Sequence, residues 1–405
     1  MSHTAKSAIF SVALVFSAMN LAPLSAQNRP PALEIAARKL PPLLQFSDGA
    51  LVHPGAQWPA RRDEILELLA REEYGRSPRV TPQNVHFEVL ERHFEALGGA
   101  ATLKRVRISV DGPRGVSAFE LVLFTPNKRD RPAPTLLLIS HRGKNNLDPT
   151  RTQKTEFWPV EELIARGYGA AAFFAGDVDP DEHDGFQNGA HGAFDLVLDG
   201  GEKRAPDAWG TIAAWSWGAS RALDYLETDW GVDREKIGVI GHSRGGKAAL
   251  WAGAGDARFA LAVSNCSGNS GAALSRGKSG ETIRQINEKF PHWFAANYHR
   301  YNDREADLPF DQHFLLAAMA PRLLYVVSAQ DDEWAYPKSE FLGALAASPA
   351  WELNGKIGLK TKEWAQTDVP LHGGNIGYHR RSGGHGMTLP DWGRVMDFCD
   401  FHWQQ

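Results

Sequence analysis

The segment Gly241-His242-Ser243-Arg244-Gly245 constrains the fold of this chain more than any other feature of its sequence. An apolar run at 236–240 precedes it, and residues 246–251 follow it with a helical pattern of small and apolar side chains. A serine between two glycines, set between a strand and a helix, is typical of a nucleophile elbow, whose sharp turn exposes the hydroxyl. The pattern therefore predicts a strand-turn-helix unit that presents Ser243 as a nucleophile toward an ester or amide.

Apolar runs and helical stripes alternate along the chain from residue 135 onward. Runs without polar positions are expected of strands that helices cover on both faces, and they occur at 135–140, 169–174, 259–263 and 323–327. Shorter strand patterns precede them at 85–90, 103–110 and 118–124, and helical patterns occur at 61–73, 160–166, 209–227, 247–254, 314–319 and 389–403. The order predicts an α/β-hydrolase fold, with a mostly parallel central sheet in a three-layer αβα sandwich and leading antiparallel strands.

The composition is that of an ordinary globular protein, with 43% hydrophobic and 23% charged residues among 405. A formal net charge of -4 leaves no basic surplus that would indicate nucleic acid as a partner. Since the sequence shows neither an internal repeat nor a low-complexity linker, we expect residues 27–405 to form a single catalytic domain. We also expect a monomer.

The first 26 residues have the layout of a bacterial secretory signal peptide. Lys6 precedes an apolar run at 7–18, and Leu24-Ser25-Ala26 supplies small residues at the expected cleavage site. An uncleaved anchor is the alternative, although the run is short for a membrane span. The sequence therefore predicts a secreted or periplasmic protein that has no contact with a membrane after cleavage of the signal.

The two cysteines, Cys266 and Cys399, lie far apart in the sequence. One possible pair does not make a disulfide framework, and we expect both thiols to be free and buried. Neither the cysteines nor the fifteen histidines show the spacing of a zinc site. The sequence thus gives no indication of a metal centre.

A serine nucleophile needs an imidazole base, which in this fold follows the other catalytic residues in the chain. His385 lies in Gly384-His385-Gly386, directly before the predicted C-terminal helix, and is the leading candidate. His379 and His372 are weaker candidates. We predict that His242, next to the serine, helps to pack the elbow.

The third member of such a triad is a carboxylate that orients the imidazole. The apolar strand at 323–327 leads into Asp331-Asp332-Glu333-Trp334, which is the usual place for this acid. The pattern alone does not distinguish Asp331 from Asp332. For the oxyanion, the backbone N–H of Arg244 is the expected first donor and its guanidinium a second, while the loop at 140–143 is a further candidate.

Several motifs in order resemble the glucuronoyl esterases of carbohydrate esterase family 15. They run from about residue 135 to the C-terminus, and they are Ser243-Arg244-Gly245-Gly246-Lys247, Glu281 in Gly280-Glu281-Thr282-Ile283, Leu308-Pro309-Phe310-Asp311-Gln312-His313, Ala320-Pro321-Arg322, Asp332-Glu333-Trp334 and Gly384-His385. The resemblance implies a serine esterase, without metal or cofactor, that cleaves esters between 4-O-methyl-glucuronic acid branches of xylan and lignin-type alcohols.

The resemblance also implies roles for individual residues. Ser243 would be the nucleophile, His385 the base and Arg244 the oxyanion stabiliser, while the acidic sugar would be bound by Lys247, Glu281 and Trp334. Lys247 lies one helical turn beyond Ser243, so the two can face one pocket.

One departure from the family bears on the acid. Many relatives carry a glutamate after the strand that follows the elbow, where this chain reads Asn265-Cys266-Ser267-Gly268. Members that lack this glutamate are understood to use an acid two residues before the tryptophan, and this favours Asp332 over Asp331. Two other functions stay open: an acetyl-xylan or other carbohydrate esterase, and an inactive hydrolase homologue that only binds carbohydrate.

Overall fold

The computed structural model describes residue 1 and residues 29–54, 57–195, 204–277 and 279–403. Residues 2–26 of the predicted signal peptide therefore lie outside the described residues. The described residues form the strands β1 (Val85–Ala96), β2 (Ala101–Gly112), β3 (Gly115–Pro126), β4 (Ala133–Ser140), β5 (Gly169–Phe174), β6 (Val232–His242), β7 (Leu261–Asn265), β8 (Leu323–Ala329) and β9 (Ile376–Arg381).

The helices flank these strands along the chain. They are α1 (Pro31–Ala37), α2 (Gln57–Leu69), α3 (Val160–Ala165), α4 (Ala175–Val178), α5 (Gly189–Phe194), α6 (Thr211–Leu226), α7 (Arg244–Gly255), α8 (Ile283–Lys289), α9 (His313–Ala317), α10 (Pro337–Ala347), α11 (Pro349–Leu353) and α12 (Leu389–Trp403). Among the described residues, no helix combines the length and the apolar character that a membrane span requires.

All the strands join one sheet in the order β1-β2-β3-β5-β4-β6-β7-β8-β9. The pairs from β1 to β3, and β3 with β5, are antiparallel, whereas every pair from β5 through β4 to β9 is parallel. The predicted α/β-hydrolase sheet with leading antiparallel strands is confirmed. Because parallel strands end at the same edge, the loops after β6, β7, β8 and β9 lie near one another.

Both faces of the central, parallel part of the sheet are buried, as the apolar runs predict. On β4, Leu137 and Ile139 join the core that includes α6 and α7, and the alternate residues Leu136 and Leu138 join a second core with α3 and α12. This alternation arises because successive strand side chains point to opposite faces. The three-layer arrangement follows directly.

Some elements differ from the sequence prediction. β1 extends six residues beyond the predicted 85–90 and is exposed along most of its length, so burial imposes little apolar alternation on it. The helix predicted at 61–73 begins at Gln57, and residues Ala70–Tyr74 wind as a π-helix. Neither β9 nor α10 was predicted.

Candidate active site

Ser243 occupies a strained turn between β6 and α7. Its backbone angles are φ 55° and ψ -124°, in a region that residues with a Cβ atom rarely adopt. A Cβ added to Gly241 would lie 2.0 Å from the carbonyl oxygen of Gly245, and one on Gly245 would lie 2.8 Å from that of Ile139. Both glycines are therefore required for the close approach of α7 to the sheet, and this packing holds the turn in place.

His385 and Asp332 meet beside this turn. His385 Nδ1 lies 2.6 Å from Asp332 Oδ2, and Asp332 Oδ1 accepts the backbone N–H of Ala335 at 3.1 Å. Burial opposes ionisation of Asp332, but these hydrogen bonds outweigh it and lower the pKa of the carboxyl. Asp332 is buried, whereas 40% of the His385 side chain is exposed. A carboxylate on Nδ1 leaves Nε2 of the imidazole for a proton from a nucleophile.

Asp331, the alternative acid, is exposed. Its backbone N–H donates to the carbonyl of Gly383 at 3.0 Å, which connects the loop after β8 to the loop that carries His385. The described geometry thus pairs the imidazole with Asp332, as the family pattern favours.

His242 packs between the elbow and the candidate base. Its ring centroid lies 4.5 Å from that of His385, and its Nδ1 lies 2.7 Å from Asn265 Oδ1. Burial and the neighbouring His385 lower the pKa of His242 to about 3. The ring is therefore neutral at ordinary pH, and it adds no positive charge beside His385.

Arg381 holds the loop that carries His385, and sequence reasoning missed it. Its Nη2 donates to the carbonyls of Gly384 at 2.6 Å and Gly386 at 2.8 Å, while its Nε donates to Asp391 Oδ2 at 3.1 Å. Asp391 also accepts the backbone N–H of Thr388 at the start of α12. One guanidinium thus connects both sides of the histidine turn to the final helix.

The two weaker histidine candidates have other partners. His379 Nε2 lies 2.9 Å from buried Asp391, and its Nδ1 lies 3.0 Å from the hydroxyl of Tyr325. His372 Nε2 lies 2.8 Å from the same hydroxyl. These contacts give both rings structural roles beneath α12.

Arg244 follows Ser243 and opens α7. Its guanidinium pairs with Asp181 and lies 4.9 Å and 4.7 Å from the ring centroids of Phe290 and Trp293. Its Nε is buried and has no hydrogen-bond partner among the described residues. The backbone N–H of this first helical residue also lacks an acceptor within the helix. Two N–H donors of Arg244, next to Ser243, thus lack an intramolecular partner among the described residues.

Asp181 was not predicted from the sequence, although it fixes the orientation of Arg244. Its Oδ1 accepts from Trp293 Nε1 at 2.8 Å and from His292 Nε2 at 3.1 Å. Partial burial opposes ionisation, but these bonds and the charge of Arg244 lower the pKa of Asp181 to about 2. The run Phe290-Pro291-His292-Trp293 was the available sequence signal, since an aromatic cluster suits a guanidinium.

Lys247, Glu281 and Trp334 form one connected group. Lys247 Nζ donates to Glu281 Oε2 at 3.2 Å and to the carbonyls of Ser267 at 2.7 Å and Asn269 at 2.5 Å. Trp334 Nε1 donates to Glu281 Oε1 at 3.1 Å. Lys247 and Glu281 are buried, whereas Trp334 is 48% exposed. The exposed indole is the part of this group that is open to a ligand.

Cys266 directly follows β7. Its thiol and that of Cys399 are free and buried, as predicted. Burial raises the pKa of the Cys266 thiol well above its usual range. Nearby, buried Glu340 accepts the backbone N–H of Gly268 at 2.9 Å and the hydroxyl of Ser328 at 2.6 Å, and burial raises its pKa to about 7.

Comparisons with known proteins identify the family of this chain. The family described as "Glucuronyl esterase, fungi" matches residues 198–355. The structure resembles a glucuronoyl esterase from Solibacter usitatus (41% identity, 90% of this chain and 98% of that chain, TM-score 0.83). It also resembles a promiscuous CE15 esterase from a marine bacterial metagenome (39% identity, 90% and 96% coverage, TM-score 0.81). A curated 4-O-methyl-glucuronoyl methylesterase from Phanerochaete carnosa is 28% identical over 78% of this chain and 72% of its own length.

The fold, the elbow and these matches define the chain as a carboxylic ester hydrolase of the α/β-hydrolase class. More specifically, it belongs to the glucuronoyl esterases of carbohydrate esterase family 15. The predicted family is thereby confirmed.

Proposed function

We propose that this protein hydrolyses esters that join (4-O-methyl-)glucuronic acid on xylan to lignin-type alcohols. The observation that carries the proposal is the 2.6 Å contact between His385 Nδ1 and Asp332 beside the strained elbow of Ser243. The names of the related glucuronoyl esterases support the acid half of the ester.

In the proposed mechanism, Ser243 Oγ attacks the ester carbonyl as its proton passes to His385 Nε2. Asp332 stabilises the imidazolium through Nδ1. The N–H groups of Arg244 donate to the oxyanion, and they are worth most there because the negative charge exists only in the transition state and intermediate. The intermediate then collapses, the alcohol leaves with the proton from His385, and the uronoyl group remains on Ser243. His385 next activates a water, which releases the uronic acid.

Recognition of the sugar is assigned to the group around Trp334. Its exposed indole face suits stacking on a pyranose ring, and Glu281 holds the indole by a hydrogen bond at 3.1 Å. Lys247 is included from the family pattern and would contact sugar hydroxyls. The alcohol half would be bound loosely, since these residues address the acid half.

A decisive experiment compares benzyl glucuronate hydrolysis by the wild type, Ser243→Ala, Asp332→Ala and Asp331→Ala. We expect Ser243→Ala to lose turnover and Asp332→Ala to lose at least roughly a hundredfold in rate, whereas Asp331→Ala should keep near wild-type rates. A crippled Asp331→Ala with an active Asp332→Ala would reverse the assignment of the acid. No turnover by the wild type would instead support the inactive carbohydrate-binding alternative.

A second substrate distinguishes the remaining esterase alternative. Acetylated xylan presents a small acyl group that needs no uronate contacts, so faster hydrolysis of it than of glucuronate esters would favour an acetyl-xylan esterase.

We further propose secretion after cleavage at residue 26, a single catalytic domain and a monomer. N-terminal sequencing of the exported protein and its mass in solution would check these proposals.

A further inference from the structure

Three potential metal ligands converge at the proposed triad. Cys266, Asp332 and His385 each offer one ligand atom, a thiol sulfur, a carboxylate oxygen and a ring nitrogen, and these atoms all lie within 4.8 Å of one another. The thiol comes from the loop after β7, the carboxylate from the loop after β8 and the imidazole from the loop after β9. The carboxyl ends of three adjacent parallel strands thus supply the group.

The chemistry of this donor set suits a thiophilic divalent cation. Zn²⁺ binds thiolate, imidazole and carboxylate, often with three protein ligands and an open fourth position. Bonds of roughly 2.0–2.3 Å in a tetrahedron hold ligand atoms roughly 3.3–3.8 Å apart. The three ligand atoms lie within 4.8 Å of one another and His385 Nδ1 lies 2.6 Å from Asp332 Oδ2, so binding needs the longest separation to close, and this contact to open, by about 1 Å or less. Cys266 and Asp332 are buried, but 40% of the His385 side chain is exposed, so an ion can reach the group from solvent on the His385 side.

The surrounding charges also favour a cation. Glu340, Asp332 and Asp391 are the acidic groups whose charge acts on the thiol, and Arg381 acts on it with positive charge. Cys266 therefore places a soft sulfur ligand among several acidic groups.

We propose that Cys266, Asp332 and His385 form an inhibitory site for a thiophilic divalent cation such as Zn²⁺ or Cd²⁺. The ion bonds to Cys266 Sγ, to an oxygen of Asp332 and to a ring nitrogen of His385; the thiol proton passes to the buffer, and no electron is transferred. An ion held there occupies the imidazole and its carboxylate, so His385 no longer accepts the proton of Ser243. The inhibition rests on the proposed function of His385, but binding of the ion does not.

Cd²⁺ is the probe, because its thiolate complexes have an ultraviolet charge-transfer absorption that reports binding without turnover. The purified full-length protein is titrated with Cd²⁺ while absorbance and benzyl glucuronate hydrolysis are recorded. We expect the band to saturate at one equivalent and activity to fall at least tenfold, with recovery after a chelator is added. Cys266→Ser and the smaller Cys266→Ala should lack the band, and each should keep most of its own metal-free activity at the same Cd²⁺ concentration.

Cys399→Ser is the matched control, since it removes the other buried cysteine and should respond to Cd²⁺ as the wild type does. Absence of the band in the wild type, or equal inhibition of the wild type and both Cys266 variants, would overturn the site. If the metal-free wild type shows no hydrolysis, the proposed function fails while the band still decides the metal site.

Discussion

Arg244 and Lys247 lie within the first turn of α7, yet their surroundings use the two cations differently. Arg244 is partly exposed, its guanidinium is fixed by Asp181 and two aromatic rings, and its Nε lacks a partner among the described residues. Lys247 is buried and directs hydrogen bonds to three protein acceptors. An ammonium has three N–H donors, so this set accounts for all of them.

The two cations therefore differ in their hydrogen bonding. Arg244 retains a donor that has no partner among the described residues, whereas all three donors of Lys247 are already used. A donor without a partner can meet charge that develops during the reaction, which is the requirement of an oxyanion site. The Lys247 ammonium, whose three donors are all used, instead connects α7 to the loop after β7 and to Glu281. A sugar contact by Lys247 would replace one of these bonds, and that role stays a prediction.

The largest expected effect comes from Arg244→Ala. We expect kcat to fall by about 10²–10³-fold with a smaller change in KM, because the donor acts mainly on the oxyanion. Steady-state kinetics on benzyl glucuronate measure the two parameters. Arg221→Ala is the control, since Arg221 packs over Trp217 and pairs with Asp224 on α6 and should change kcat little. A variant of Arg244 that changes only KM would remove the distinction between the two cations.

Lys247→Met should act mainly on stability. Glu281 is buried, and the loss of the Lys247 cation beside it is expected to lower the free energy of unfolding by about 3 kcal/mol. Chemical denaturation measures the change, and adding Glu281→Gln should recover part of it because a buried carboxylate is replaced by a neutral amide. Lys289→Met, at an exposed position of α8, should have little effect. Full stability with a large loss of glucuronate affinity would show that Lys247 serves the sugar instead.

Trp334→Ala tests the exposed end of the same group. We expect a rise in KM of roughly fivefold, or about 1 kcal/mol, for glucuronate esters, because the stacking surface is lost. The rate on a simple acetate ester should be unaffected. Trp230→Ala removes a tryptophan that is 72% exposed and contacts Lys104, and it serves as the control. Equal losses on both ester types would contradict sugar stacking.

The smallest effect on turnover, with a distinct pH signature, is expected for Glu73→Gln. Burial raises the pKa of Glu73 to about 8, so the folded state favours the protonated form. Glu73 therefore contributes fully to the free energy of unfolding below the ordinary carboxyl pKa. This contribution is lost as pH rises toward 8, and the free energy of unfolding falls by at most ~1.4 kcal/mol per pH unit. Unfolding measured from pH 5 to 9 should show a shallower decline in the variant.

Glu72→Gln provides the comparison for Glu73. Its hydrogen bonds to Arg71 and Arg300 outweigh burial and lower the pKa of Glu72, so its titration falls at acidic pH. We expect no flattening of the stability profile above pH 5 in this variant. Parallel profiles for Glu73→Gln and the wild type would show that Glu73 is not protonated in the folded protein.

Much of the fold was predictable because its signals are local. Fully apolar runs mark strands covered on both faces, and they identified β4, β5, β7 and β8. β9 was missed because its second half, His379-Arg380-Arg381, is polar and gives no apolar run, although nearly all of the strand is buried once it pairs with β8. α10 follows the proposed acid loop and has almost no apolar asymmetry, since nearly all of it is buried.

The sequence by itself determined the elbow, since Gly241 and Gly245 are the residues that allow α7 to approach the sheet around a strained serine. It also supplied a candidate acid and a candidate histidine that follow the serine along the chain. Only the tertiary structure shows which of the two adjacent carboxylates contacts His385: Asp332 is buried against the ring and Asp331 is exposed, because the loops after β8 and β9 meet there. Other tertiary contacts pair Asp181 with Arg244, surround the Lys247 ammonium with three acceptors and place Cys266 near His385. Such contacts depend on which strand ends are neighbours in space, and that information is not carried by any single segment of the chain.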